Sequence, residues 1–118
     1  MKRALAVDDS ATMRNLVKMA LESVGFQVDT AENGQVALDL TRKNSYDLII
    51  TDINMPVMNG LEFLREFRAV NRTTPVLVLT TETETAKKEE AKRLGATGWI
   101  VKPFKPEDLV KVVKRVVR

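Results

Sequence analysis

Short apolar runs alternate five times along this chain with stretches in which apolar residues recur every three or four positions. The runs are residues 4–7, 26–30, 48–51, 76–79 and 98–101. Several are continuously apolar rather than alternating, the pattern of strands buried on both faces. Between the first two, Met13, Leu16, Val17, Ala20, Leu21 and Val24 fall at helical spacing, with Ser10 as N-cap and Gly25 as the stop. Asn33-Gly34 opens a second helix through Val36, Ala37 and Leu40, and Asn59-Gly60 a third through Leu61, Phe63, Leu64 and Phe67. The last helix is expected to be the best capped of the five. Pro106 stands at its first position, Glu107 and Asp108 in its first turn, and Lys114, Arg115 and Arg118 near its end, as the helix dipole favours. Its apolar stripe is Leu109, Val112, Val113, Val116 and Val117. The fourth helix, over residues 83–94, has only Ala86, Ala91 and Leu94 for burial amid Lys87, Lys88, Glu89, Glu90, Lys92 and Arg93, so it should be weakly anchored. Unbroken strand–helix alternation predicts an α/β fold: a parallel sheet covered by helices on both faces.

A length of 118 residues suits one domain, residues 1–118, and 44% hydrophobic with 30% charged residues is the balance of an ordinary globular chain. The absence of cysteine and histidine excludes more than it suggests. No disulfide, thiolate nucleophile, imidazole ligand, Ser-His-Asp triad or phosphohistidine can be built here. The apolar runs are too short to cross a bilayer and the start lacks a signal-peptide core, so the expectation is a cytoplasmic protein without membrane insertion. The net charge of +3 is uneven: residues 84–118 carry ten Lys or Arg against five Asp or Glu. With Trp99 and Phe104 its only aromatic residues, too few to stack successive bases, this excess reads as a solvated face or a surface for an acidic or amphipathic protein segment, not as a nucleic-acid site.

Chemistry concentrates where the apolar runs end. Asp8 and Asp9 follow the first run, Asp52 the third, Thr80 the fourth and Lys102 the fifth. Were these runs parallel neighbours, their carboxyl ends would share one sheet edge, where open α/β folds place their sites. Two carboxylates about 4 Å apart repel by roughly 4 kcal/mol at an effective dielectric near 20, which invites a divalent cation or a proton. Singly, each residue has a plainer reading. Asp8 and Asp9 serve equally well as a helix-capping pair, Thr80 as a strand-end threonine and Lys102 as a surface lysine.

Taken together, the segments AVDDS, IITDINMPVMNG, LVLTTE and TGWIVKPF resemble the receiver domains of bacterial two-component response regulators, most like the single-domain chemotaxis type. The resemblance covers the whole chain. It implies a doubly wound, flavodoxin-like (βα)5 fold with strand order 2-1-3-4-5, an order that comes with the family and not from periodicity. It also implies that Asp52 is the phosphoacceptor for a sensor histidine kinase. Asp9, Asp8 partly through water, Asp52 and the Asn54 backbone carbonyl would hold Mg²⁺, while Lys102 and the Thr80 hydroxyl would meet phosphoryl oxygens. Pro103 would follow a cis peptide. Thr80 and Trp99 would form the switch, with Trp99 where Tyr or Phe is usual. Its plainer reading is a partly buried anchor for the fifth strand. Asn54, Thr81 and Glu82 would tune the phosphoryl lifetime, with the bulk of Thr81 slowing access to Asp52; the plainer readings are a turn residue at 54 and a solvated charge at 82.

The function so implied is a phosphorylation-switched receiver that catalyses its own phosphorylation and dephosphorylation without being a dedicated turnover enzyme. The chain's end at Arg118 favours a diffusible, monomeric chemotaxis messenger to the flagellar motor switch, engaging it through the face of helix four, strand five and helix five. A phosphate sink or phosphorelay receiver uses the same site. An aspartate-nucleophile phosphatase would need a general acid two residues after Asp52, and Asn54 stands there. Neither a Walker-type loop nor a Rossmann glycine fingerprint occurs.

Overall fold

The computed structural model describes residues 2–81 and 83–117, so the expectations for Glu82 and Arg118 lie outside the described residues. Five strands alternate with five helices: β1 (Arg3–Val7), α1 (Ala11–Glu22), β2 (Gln27–Ala31), α2 (Gly34–Lys43), β3 (Leu48–Asp52), α3 (Gly60–Val70), β4 (Val76–Thr81), α4 (Thr85–Arg93), β5 (Gly98–Lys102) and α5 (Pro106–Val116). All strand pairs are parallel and the order is β2-β1-β3-β4-β5. The chain leaves β1 toward β2, then crosses back to β3 on the other side of β1. That reversal opens a crevice at the carboxyl ends of β1 and β3.

Alternation along the strands divides the core into two layers. Leu5, Val7, Ile49, Val76 and Val78 pack with Ala37 and Leu38 of α2, Phe63, Leu64 and Phe67 of α3 and Ala91 of α4. Ala4, Ala6, Leu48, Ile50, Leu77, Leu79 and Ile100 face Val17, Ala20 and Leu21 of α1 and Leu109 and Val113 of α5. Each such Leu or Ile contributes about 1.5–3 kcal/mol relative to exposure, and the central strands, covered twice, are apolar on both faces until Thr51 and Thr80 near their carboxyl ends.

Several sequence expectations shift at the element ends. Phe26 precedes β2, yet it is buried against the α1/α5 layer. Val24 and Val36 are each 37% exposed and fall off the buried stripes. The start of α4 moves from 83 to Thr85, and Ala86 is exposed, leaving Ala91 as that helix's sole fully buried side chain. The best cap belongs to α3, not α5. The Asn59 side chain accepts from the Glu62 N–H and Glu62 accepts from the Asn59 N–H, at 2.9 and 3.0 Å, a complete capping box. In α5 the link is one 3.3 Å bond from the Lys105 N–H to Asp108.

At the sheet edge remote from the crevice, Arg3 ties β1 to its neighbours. Its guanidinium meets Asp29 at 2.8 Å and stacks over Tyr46, whose hydroxyl donates to the same Asp29 oxygen at 2.7 Å. Burial, and then Asp29, push the Tyr46 phenol above its ordinary range. The fold therefore holds the neutral phenol. Its stabilisation is complete below about pH 10, the ordinary tyrosine value, and is lost as pH rises through the higher folded value. Since Tyr46 is the single tyrosine, tyrosinate absorbance should stay absent past that pH until the protein unfolds. Tyr46→Phe should lower stability by about 1 kcal/mol at neutral pH. Ordinary titration near pH 10 in the folded protein would disprove the clasp.

Candidate functional site

Strands β1, β3, β4 and β5 each deliver a polar residue to the carboxyl end of the sheet. Register pairs Val7 with Thr51 and Asp52 with Leu79, which sets Asp8 beside Asp52; Thr81 pairs with Lys102. Oxygens of Asp8, Asp9 and Asp52 lie within 4.8 Å of one another. Lys102, two strands from Asp52 across the sheet, reaches back so that Nζ lies 3.2 Å from Asp52 Oδ1 and 3.8 Å from Asp8 Oδ2. The Lys102–Pro103 peptide is cis. One ammonium among three carboxylates leaves the pocket strongly negative.

The carboxylates are not equivalent. Asp9 is exposed, whereas Asp8 is 2% and Asp52 8% exposed. Asp8 Oδ1 accepts from the Ser10 N–H at 2.9 Å, but its Oδ2 is buried without a hydrogen bond among the described residues. Burial raises the Asp8 carboxyl above its usual range, with the charges of Asp52 and Asp9 adding to it; the Ser10 N–H and Lys102 only partly oppose this. Ser10 itself caps α1 by accepting from the Met13 N–H at 3.2 Å, so capping falls to it and the aspartates are left for the pocket. On Asp52, the Ile53 N–H and Lys102 both engage Oδ1, which leaves Oδ2 for an incoming group. An all-oxygen set with one orphaned buried oxygen suits a hard divalent cation.

The Thr80 hydroxyl is fully buried and has no hydrogen-bond partner among the described residues; it lies on the same strand as Val76 and Val78, facing the α3/α4 layer by alternation. A buried hydroxyl left unpaired is costly unless a ligand completes it. Trp99, paired with Val78, is partly buried against that layer, and the ammoniums of Lys88 and Lys92 lie 4.8 and 5.3 Å from its ring centroid. The exposed Thr81 turns its hydroxyl to Thr83 at 3.0 Å, and its N–H donates to Glu84 at 2.9 Å. Asn54 is exposed and bridges to α4 through Glu84 and Lys87, two residues that sequence reasoning did not single out. Their spacing signals only a pair within one helix; the partner lies thirty residues away.

The β3–α3 loop closes under strain. Val57 holds φ 67° with the Met58 N–H donating to the Pro56 carbonyl at 2.7 Å, a tight turn unfavourable for a β-branched residue. Beyond it, Gly60 begins α3 hard against the backbone of Asp52.

A family model for the response regulator receiver domain matches residues 4–114. The chain belongs to that family. Among solved structures, this receiver domain is similar to the chemotaxis response regulator CheY4 of Vibrio cholerae, at 49% identity and TM-score 0.93 with 99% of both chains covered. A CheY-like receiver domain protein from Methanospirillum hungatei has 27% identity and TM-score 0.92, covering 98% of this chain and 92% of that one. Among curated proteins, it is 38% identical over 116 residues to the transcriptional regulatory protein ResD of Bacillus subtilis, covering 98% of this chain and 48% of ResD. It is also 38% identical over 114 residues to SrrA of Staphylococcus aureus, covering 97% of this chain and 47% of SrrA. The receiver domain thus spans about half the length of these curated relatives. Among the described residues, no helix is long and apolar enough to cross a membrane.

Proposed function

We propose that Asp52 accepts a phosphoryl group from the phosphohistidine of a sensor kinase and that the phosphorylated protein acts as a chemotaxis-type messenger. The observation that carries this reading is the single ammonium 3.2 Å from Asp52 within a pocket of three carboxylates. In the transfer, Asp52 Oδ2 attacks phosphorus. A new O–P bond forms as the N–P bond breaks, and the electron pair leaves with the imidazole. Lys102 neutralises one phosphoryl oxygen and the unpaired Thr80 hydroxyl donates to another, so catalysis is positioning and charge stabilisation. Asp9, Asp52, the Asn54 carbonyl and Asp8, partly through water, are the groups that would hold Mg²⁺, which would supply positive charge against the negative charge of nucleophile and phosphoryl group.

The likeness to CheY4 along nearly the full length of both chains supports the messenger role, with the flagellar motor switch as partner and the face of α4, β5 and α5 as the contact. Trp99 and the lysines over it give that face a cationic, aromatic character suited to an acidic or amphipathic segment. The likeness to the transcriptional regulatory proteins ResD and SrrA supports a second reading, in which the receiver controls a transcriptional output. A phosphoryl mimic bound with Mg²⁺ should raise affinity for the motor switch protein of the same organism by about tenfold, the scale of a typical coupling energy. Unchanged affinity would set the messenger role aside in favour of a relay, a sink or a transcriptional output.

A further inference from the structure

The side chain of Asn54 is held at both ends. Its Nδ2 donates to Glu84 Oε2 at 2.6 Å, and its Oδ1 accepts from Lys87 Nζ at 2.6 Å. An ammonium only donates and a carboxylate only accepts, so the chemistry fixes which end of the amide is which. The other Glu84 oxygen accepts from the Thr81 N–H at 2.9 Å, and Lys87 lies 3.5 Å from Glu84. Three segments therefore meet: the loop after the nucleophile, the end of β4 and the first turn of α4. The Glu84 side chain is only 14% exposed, unlike a solvated surface pair. With Ala91 as its one fully buried side chain, α4 has little apolar anchoring, and these polar contacts add to its seat beside Leu94 and the lysines over Trp99.

We infer that Glu84 and Lys87 are positioning residues for Asn54, which clamp its amide against α4 and thereby prolong the life of the phosphoryl group; this rests on phosphorylation at Asp52. In the loss step, a water oxygen forms a bond to phosphorus as the bond from phosphorus to the Asp52 oxygen breaks. The electron pair returns to the carboxylate, and the water's protons leave with inorganic phosphate or to solvent. Asn54 stands two residues from Asp52 and carries the nearest neutral amide along the chain. Once released, it is free to turn and orient that water through its Oδ1; clamped, it is not.

Lys87→Ala should shorten the phosphoryl lifetime about fivefold, the scale of one lost hydrogen bond, with the rate of phosphorylation little changed. Lys87→Arg, which keeps a donor, should restore the lifetime. In an Asn54→Ala background Lys87→Ala should have no further effect, because the group it positions is gone. In the unphosphorylated protein, Lys87→Ala should also move the Asn54 side-chain amide signals in nuclear magnetic resonance spectra. A lifetime unaltered by Lys87→Ala in protein labelled at Asp52, or shortened equally without Asn54, overturns the positioning role alone. Failure of the unmodified protein to take label at Asp52 overturns the phosphorylation reading and the lifetime effect with it.

Discussion

Replacing Asp52 with asparagine should reduce phosphoryl acceptance from a small acyl-phosphate donor by at least roughly a hundredfold, about 2.7 kcal/mol of transition-state stabilisation. An amide lacks the anionic oxygen that attacks phosphorus, and it contributes no charge to a cation site. The substitution nearly preserves shape, and the Ile53 N–H now bonded to Oδ1 can bond the amide oxygen equally well, so the fold should survive. Removing one of three mutually repelling carboxylates should leave metal-free stability unchanged or higher. Intact mass after incubation with donor, with Mg²⁺ and after chelation, measures the result. The unmodified protein should gain one phosphoryl group in Mg²⁺ only. Undiminished label on Asp52→Asn would remove the nucleophile from Asp52.

Gly60→Ala should cost about 3 kcal/mol, the upper end of overpacking losses, because its Cβ would overlap the Asp52 carbonyl oxygen and lie 3.0 Å from the Ile53 Cα. Those neighbours are backbone, so no rotamer change relieves the clash. The Gly60 N–H also donates to the Ile53 carbonyl at 2.8 Å, so shifting α3 away would break that bond. The damage should reach phosphoryl acceptance as well, since the peptide of Asp52, the proposed nucleophile, must move. Gly25→Ala is the control. Gly25 has φ +95° and no atom within 4 Å of the added carbon, so only the left-handed backbone is penalised, by about 1–2 kcal/mol. Urea unfolding compares the two variants, and equal losses would mean that the close approach at Gly60 is not the constraint.

The strands were legible because burial on both faces leaves almost no freedom in residue choice: residues 48–51 and 76–79 read as strands from composition alone. Element ends were less so. Thr85 rather than residue 83 begins α4 because Glu84 spends its carboxylate on Thr81 and Asn54, contacts that local pattern cannot anticipate. The relative strength of the helix caps was misjudged for a related reason. Pro106 with two acids signals a helix start, but the reciprocal bonds of Asn59 and Glu62 actually close one. Within the site, Asp8, Asp9, Asp52, Thr80 and Lys102 were visible as polar residues ending apolar runs. The different burial of the three carboxylates, the orphaned oxygens of Asp8 and Thr80 and the lysines over Trp99 all depend on side chains from other elements. So does the clasp of Arg3, Asp29 and Tyr46.

The single buried alanine of α4 has a consequence for how such a protein can diverge. Exchanges at Lys88, Lys92 or Arg93 alter no core volume and touch neither Asp52 nor Lys102. The outer positions of this helix, beyond Glu84 and Lys87, can therefore be rewritten for a new listener with the residues at the sheet edge left in place, whereas a comparable change on α3, which buries Phe63, Leu64 and Phe67, would be felt through the whole fold.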